Sequence, residues 1–390
     1  MASRTSVLHG EQASFRVRAK PSTGSRYKGR KVPITTLIED YINERIDIEG
    51  DFSSFIRQRQ AMVDYRIVAG HLHFLVTRFI PEVLIHSQKQ DIRVGRAHYD
   101  RGNDFFAWFL GPRMVYTSAF FTGPDQTLEQ AQDQKMRLVC EKLQLRSGER
   151  YLDIGCGWGT LVATAAKDCG VRATGITVAP KGAAYGEEQI ARMGVSDSAR
   201  ILTLDYRDIP RETYDKISCL EMAEHVGVRR FQKFMRQIYG LLADDGLFFL
   251  QIAGLRARKG MLGFHWEDLV WGLFMNKYIF PGADASMPLS FVVRHLERAG
   301  FEVHSVENIG IHYSLTIARW YERWVANRAE VVQAYGEWWF RLWQVFLGWS
   351  VAIAAQGSST CYQVVANKNL DRFRRSRWIG ATSLGERAHL

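Results

Sequence analysis

Two stretches of this chain place chemically capable residues at the ends of short apolar runs. The first is Tyr151-Leu-Asp-Ile-Gly-Cys-Gly-Trp-Gly-Thr160. Its three alternate glycines follow an apolar run and precede a helical one, the pattern of a strand turning tightly into a helix. Glycine permits backbone dihedrals there that other residues resist, and the helix start offers unpaired N–H groups to a ligand. No Lys-Ser/Thr follows, as a phosphate-binding loop requires, and the spacing is G-x-G-x-G rather than the dinucleotide G-x-G-x-x-G. Asp153 puts a carboxylate beside the turn, which suits a cationic amino-acid moiety better than a pyrophosphate. The second stretch is Glu221-Met-Ala-Glu-His-Val-Gly227. Glu224 and His225 follow the run Ser218-Cys-Leu-Glu-Met-Ala223, which offers a carboxylate few polar neighbours, so a working acid or base is the reading for Glu224.

Such residues need a sheet to hold them. Strand patterns fall at Arg150–Ile154, Arg172–Thr177, Arg200–Leu204, Lys216–Leu220, Gly246–Ala253, Phe301–Ile309 and Thr360–Ala366, with helical patterns between most of them. Strands alternating with helices predict a doubly wound, mostly parallel α/β sheet, whose ligands sit at the carboxyl ends of the strands. The glycine turn falls there. The last strand follows a long Trp-rich helix and is expected at the sheet edge. Residues 33–127 read as an N-terminal helical region facing substrate and membrane, 128–370 as the catalytic domain, and 255–290 as a lid-like insertion. Leu72-His-Phe-Leu-Val-Thr-Arg-Phe-Ile80 is a helix or strand that a bilayer surface or a core would satisfy equally. A polar helix is expected over Leu128–Leu143.

The net charge of +10 and a pI near 9.4 point toward nucleic acid or an anionic membrane surface. Much of the excess is terminal: residues 1–31 hold eight Lys/Arg against one acid, and Arg372-Phe-Arg-Arg-Ser-Arg377 adds a second cluster. Residues 1–32 are expected to be a disordered basic tail and 371–390 a second basic tail. The five cysteines show neither disulfide nor metal-ligand spacing, so no metal site is predicted and a reducing compartment fits. No apolar run reaches the roughly 20 residues of a spanning helix. The nearest, Leu342–Ala355, reads as a buried or lipid-facing helix, with the core helix favoured.

The glycine turn resembles the first motif of S-adenosylmethionine (SAM) methyltransferases. Further motifs occur in one order: His98-Tyr-Asp-Arg-Gly-Asn-Asp-Phe-Phe106, Tyr116-Thr-Ser-Ala-Phe120, Asp205-Tyr-Arg-Asp208, Glu221–Gly227, Ile279-Phe-Pro-Gly282 and Ile311-His-Tyr313. Together they resemble the cyclopropane-fatty-acid synthase family of SAM-dependent lipid methyltransferases over roughly residues 90–370. Phe248–Arg256, Phe264–Ser286 and Gly348–Cys361 are most similar to the fungal-type sphingolipid C9-methyltransferases, relatives that carry membrane-spanning helices ahead of the catalytic domain. The resemblance implies a seven-stranded Rossmann-like sheet and SAM as co-substrate. It implies that Tyr116 and Thr117 contact the methionine part of SAM, together with Asp153, Gly155, Gly157 and Gly159. Thr177 and Val178 would lie at the ribose, where Ala179 and Gly182 replace the usual Ser and Gln and Lys181 or Glu187 is available instead. Asp205 would accept from the adenine amino group and Tyr206 stack on the base. In cyclopropane synthases a Glu, a Cys, a His and a Tyr surround a bicarbonate ion that acts as base. This sequence keeps Glu224 and Tyr313, beside His225, but has Ser118 for the Cys and Gln251 for the His, so bicarbonate is not carried over.

The implied chemistry is attack of an alkene on the sulfonium methyl, alignment in a dry pocket being the protein's task. Aromatic faces such as Tyr116, Phe120, Trp266, Trp271 and Tyr313 suit the resulting carbocation. Proton loss from the transferred methyl closes a cyclopropane; loss from the carbon that received it restores a methyl-branched double bond. The changes at Ser118 and Gln251 favour the branched product, with Glu224 as base. The leading expectation is C9-methylation of a sphingoid base in ceramide or glucosylceramide at a membrane surface, by a peripheral protein on the cytoplasmic side. The alternative is a cyclopropane synthase acting on phospholipid acyl chains. An N- or O-methyltransferase for nucleic acid or a small molecule is disfavoured because no N/D-P-P-aromatic motif follows the fourth strand, and a non-enzymatic membrane-binding module would require that SAM binding be lost.

Overall fold

The computed structural model describes residues 7–9, 15–21, 27, 31–79, 101–123, 125–257 and 265–378. The chain forms two compact units that interleave in sequence. One comprises residues 87–257, 282–316 and 359–390; the other comprises 1–86, 258–281 and 317–358. The contiguous division at residue 127 therefore gives way. Residues 101–123 join the unit that holds the glycine turn, and part of the expected insertion, 258–281, belongs with the N-terminal segment.

The first unit is built on a seven-stranded sheet: β1 (Arg150–Ile154), β2 (Arg172–Thr177), β3 (Ala199–Thr203), β4 (Tyr214–Leu220), β5 (Leu242–Leu255), β6 (Phe301–Asn308) and β7 (Ser359–Lys368). The order is β6-β7-β5-β4-β1-β2-β3. Pairing is parallel from β3 to β5, while β7 runs antiparallel to both β5 and β6. All seven expected strands form. The last one, however, lies one strand inside the edge: nearly every β7 residue is buried, as a doubly paired strand requires, whereas half-exposed β6 takes the edge.

Alternation along β5 explains the layers. Phe248, Leu250 and Ile252 point to one face, where they pack with Phe231, Phe234, Met235 and Ile238. Leu247 and Phe249 point to the other, with Val139, Tyr151, Val162 and Val365. The helix Val228–Leu241 fits because its apolar residues recur three and four apart at 231, 234, 235 and 238. Each such side chain contributes about 1.5–3 kcal/mol on full burial. The expected helix after residue 128 runs Leu128–Lys142, capped by Thr127, whose side chain accepts from the Gln130 amide while Gln130 bonds back.

Register sets the site. Asp153 of β1 pairs with Ser218 of β4, Leu220 of β4 with Gln251 of β5, and Gln251 with Gln363 of β7. Asp153 and Ser218 thus share one row across the sheet, and Gln251 and Gln363 share another, level with Leu220 two residues further along β4.

In the second unit, Val7–His9, Phe15–Ala19 and Ile46–Gly50 form an antiparallel sheet. The expectation of a disordered residue 1–32 tail fails for these described stretches: Phe15, Val17 and Ala19 alternate as buried residues, and Phe15 meets Phe55 edge-on at 5.8 Å. The stretch Leu72–Ile80 is helical as far as it is described, over Ala69–Phe74 and Leu75–Phe79. The helix Glu337–Ala355 buries Trp343 and Trp349, so it is a core helix. Among the described residues no helix is long and apolar enough to cross a membrane.

The C-terminal basic cluster is also structured as far as residue 378. Phe373 is buried, and Trp378 stacks on His304 with ring centres 4.1 Å apart. Arg375 pairs with Glu302 at 2.8 Å, and Arg372 pairs with Asp244. Two aromatic anchors and two acids hold this stretch to the sheet, so it is not a solvated tail over its described part.

Candidate active site

The glycine turn opens on a cavity lined by Tyr116, Thr117, Asp153, Gly155, Gly157, Thr177, Val178, Asp205, Tyr206 and His225, all expected from the sequence. Lys135, Arg207, Glu221 and Met222 line it as well. Gly159 is not in the wall; it caps the helix Thr160–Cys169. Gly157 has φ +56°, and a side chain added there would meet nothing within 4 Å, because it would project into space a ligand would use. Gly182 explains the missing ribose-type glutamine: a Cβ at this position would lie 2.9 Å from the Gly157 carbonyl oxygen, so glycine lets the helix Pro180–Arg192 approach the turn. Glu187 is committed elsewhere, accepting from the Ile201 amide at 2.5 Å, and neither it nor Lys181 lines the cavity. Asp205 accepts from the Arg207 backbone amide at 2.9 Å and from its guanidinium at 2.6 and 2.8 Å, so its two oxygens serve Arg207.

The segment carrying Tyr116–Ser118 is tied down from several sides. Thr160 donates to the Arg113 carbonyl at 2.7 Å, and the Ala119 amide donates to Thr316 at 2.9 Å. Lys135, on the helix Leu128–Lys142, donates to Thr117 at 2.8 Å while only 2% exposed. Burial pushes its ammonium down to about 8, against the pull of Glu221 and Asp153. Asp153 accepts from Ser218 at 2.5 Å, and Ser218 in turn meets the Tyr151 hydroxyl at 2.6 Å. Burial raises the Asp153 carboxyl to about 6, and the Ser218 bond and Lys135 oppose that rise. An ammonium and a carboxylate in one cavity suit an amino-acid zwitterion.

Two carboxyls occupy the carboxyl end of β4, Glu224 buried and Glu221 half-buried in the cavity wall. Glu221 Oε1 accepts from the Ser118 amide at 2.8 Å and from Gln251 Nε2 at 2.6 Å, and the Cys361 thiol lies 3.7 Å away. Gln251 is held by Gln363 at 3.0 Å, and Gln363 by Lys142 at 2.6 Å. Glu224 accepts from the Ala253 amide at 2.5 Å through Oε1, while its buried Oε2 has no hydrogen-bond partner among the described residues. Burial, then the charge of Glu221, pushes Glu224 up to about 8; burial also raises Glu221. A carboxyl raised to about 8 keeps its proton at neutral pH, which is the state of Glu224. Burial, then the charge of Glu221, keeps the Tyr313 phenol neutral. Ser118, Gln251, Glu224 and Tyr313 are thus grouped with Glu221, although only Glu221 of these lines the cavity.

A family model described as mycolic acid cyclopropane synthetase matches residues 86–364. The chain belongs to this family. It is 49% identical over 367 residues to the sphingolipid C9-methyltransferase of Komagataella phaffii, covering 91% of this chain and 74% of that one. It is 44% identical to the Candida albicans sphingolipid C9-methyltransferase, covering 93% and 71%. Among solved structures, the mycolic acid cyclopropane synthase CmaA1 complexed with SAH and CTAB superposes with a TM-score of 0.68 at 27% identity, covering 71% of this chain and 98% of that one. The sheet order is the methyltransferase one, and the enzyme is a SAM-dependent methyltransferase with SAM as its co-substrate.

For this synthetase-family member the bicarbonate ion raised by the resemblance does not fit. The Ser118 amide and the Gln251 side chain, the groups that would face such an anion, both donate to Glu221. Sequence reasoning passed over Glu221, Lys135, Gln363 and Cys361. Lys135 carried a signal, a charge on the buried stripe Ala131, Gln132, Met136 and Val139 of its helix. Glu221 carried one too, as the first residue beyond β4. Gln363 and Cys361 gave none, because only the strand order brings β7 beside β5. Among the described residues no cluster could hold a metal ion.

Proposed function

We propose that this enzyme C-methylates a sphingoid-base double bond at C9 in ceramide or glucosylceramide. The observation that carries this reading is the 49% identity to a sphingolipid C9-methyltransferase across 91% of the chain. The zwitterionic end of the cavity supports a division of labour in SAM binding. Asp153 takes the ammonium, Lys135 the carboxylate, and the glycine turn with Thr117 fixes the methionine chain. Tyr206, packed edge-on against Phe234 at 5.0 Å, offers a face to adenine.

SAM supplies an electrophilic methyl, and the protein supplies alignment and a dry wall. The alkene π pair forms the new C–CH3 bond as the S–CH3 pair remains on sulfur. A carbocation is left on the neighbouring carbon. Tyr116, braced by Phe106 and Phe109 at 5.6 and 5.5 Å, presents an aromatic face suited to a cation. A buried carboxylate then removes the proton from the methylated carbon, restoring a branched double bond. Peripheral association with a membrane gives access to such a lipid.

The test is lipid mass spectrometry of cells with and without the chain. A 14-dalton gain on sphingoid bases, with a methyl on a retained double bond by NMR, is expected; a gain confined to phospholipid acyl chains as cyclopropanes sinks this reading.

A further inference from the structure

Glu221 is one of the described non-glycine residues with positive φ, at +51°. That conformation is easy for glycine and strained for glutamate, and such strain persists where the side chain serves a purpose. Here the strained turn directs a carboxylate from the end of β4 into the wall of the cofactor cavity. Two donors from separate elements converge on a single oxygen of it, the Ser118 amide at 2.8 Å and Gln251 Nε2 at 2.6 Å. Gln251 cannot turn away easily, because Gln363 donates to its amide oxygen at 3.0 Å and Lys142 donates to Gln363 at 2.6 Å. That row from Lys142 to Glu221 fixes the amide so that its N–H, not its oxygen, faces the carboxylate.

We propose that the Glu221 carboxylate is the built-in proton acceptor of the reaction, taking the place of a diffusible anionic base, with Ser118, Gln251 and Gln363 as its positioning residues. The inference rests on the alkene-methylation reading above and names the group that finishes it. The C–H bond on the methylated carbon breaks, its electron pair becomes the new π bond, and the proton goes to Glu221, which becomes a neutral carboxylic acid. No oxidant or further co-reactant is needed. Burial raises the Glu221 carboxyl, and the two hydrogen bonds and the Lys135 ammonium oppose that rise and favour its ionised form, whereas the neighbouring Glu224 holds its proton at neutral pH. The role expected of Glu224 from the sequence therefore falls to the carboxyl three residues earlier, and Glu224 becomes its proton-holding neighbour.

Glu221→Gly relieves the backbone strain and empties the space between Ser118 and Gln251, and Glu221→Gln keeps the shape without the charge. In both, turnover should fall by about 10²–10⁴, the usual loss when a general base is removed, while SAM affinity by calorimetry stays in the wild-type range. In Glu221→Gly alone, added bicarbonate or formate should restore part of the turnover. Carbon-13 NMR should detect bicarbonate binding to that variant and none to the wild type. The wild-type rate should be the same in carbonate-depleted buffer. A wild type that binds bicarbonate or is accelerated by it overturns the proposal, as does full turnover in Glu221→Gln. If the wild type methylates no sphingolipid, the substrate reading fails, and the bicarbonate-binding comparison still decides the role of Glu221.

Discussion

Glu224 holds its proton at a cost that depends on pH. Its carboxyl is raised to about 8 in the fold, by burial first and by Glu221 second, from an ordinary value of 4.5. Between those values the folded chain binds a proton that the unfolded chain releases, so the stability contribution of this group falls as pH rises through the window. Glu224→Gln removes the titration. The variant's melting temperature relative to wild type should therefore climb from pH 4.5 to 8; a difference that stays flat would show that Glu224 is ionised in the fold. The SAM end of the cavity has a pH signature of the same kind. Asp153 loses its charge below about 6 and Lys135 loses its charge above about 8, so SAM affinity should be greatest between these values and weaken on both sides. Calorimetric titration from pH 5 to 9 checks this, and a pH-independent affinity would remove both residues from the zwitterion site. Much of this site was legible: the glycine turn, Tyr116, Thr117 and Asp153 stand together in the cavity as their motifs implied. Glu221 was not, because its importance arises from φ and from two donors distant in sequence, neither of which a spacing reveals.

The helices Phe52–Met62, Trp266–Phe274 and Glu337–Ala355 are joined by one buried carboxylate. Glu267 accepts from Arg59 at 2.6 Å, Tyr65 at 2.8 Å, Trp349 at 3.3 Å and Gln356 at 3.2 Å. Arg59 is 4% exposed. Arg59→Met would strand the acid without its cation, and such a break costs about 3–5 kcal/mol. Urea unfolding should show that loss, with Arg59→Met plus Glu267→Leu recovering part of it; an unchanged midpoint in the single variant would mean the pair stabilises nothing. Elements of this size read well from sequence, since all seven strands of the main sheet coincide with apolar runs and turn residues. The place of β7 did not, since an edge strand and a strand one position inward carry similar apolar patterns and differ only in what lies beyond. The terminal stretches misread for a related reason. Composition marked them as basic and soluble, whereas Phe15, Val17, Phe373 and Trp378 are spaced to anchor them.

At the scale of the molecule, the peripheral membrane reading now rests on apolar exposure as much as on charge. Leu72 and Val76, four residues apart on one helical run, are 58% and 66% exposed, and Trp266 of the same unit is 55% exposed. Arg372 and Arg375 are paired with acids, which weakens the expected attraction of that cluster for anionic lipid. The rest of the expected N-terminal tail lies largely outside the described residues. Vesicle flotation of Leu72→Glu/Val76→Glu should therefore fall well below wild type and do so equally in low and high salt. Binding that the double variant leaves intact, and that salt abolishes, would return recruitment to the basic ends.

The strand β7 is the last of the sheet to be made, yet it is threaded between β5 and β6, and it brings Cys361 to the carboxylate at residue 221 and Gln363 to the amide of Gln251. On the ribosome, β5 and β6 must wait with open edges until residue 368 has emerged, a period in which a chaperone has two unpaired strands to hold. A transcript cut short by a stop codon before β7 would yield a chain with a finished glycine turn but no closed sheet and no fixed Gln251. A copy that stops short of β7 would thus have open sheet edges and an unfixed Gln251 in place of a finished methyl-transfer site.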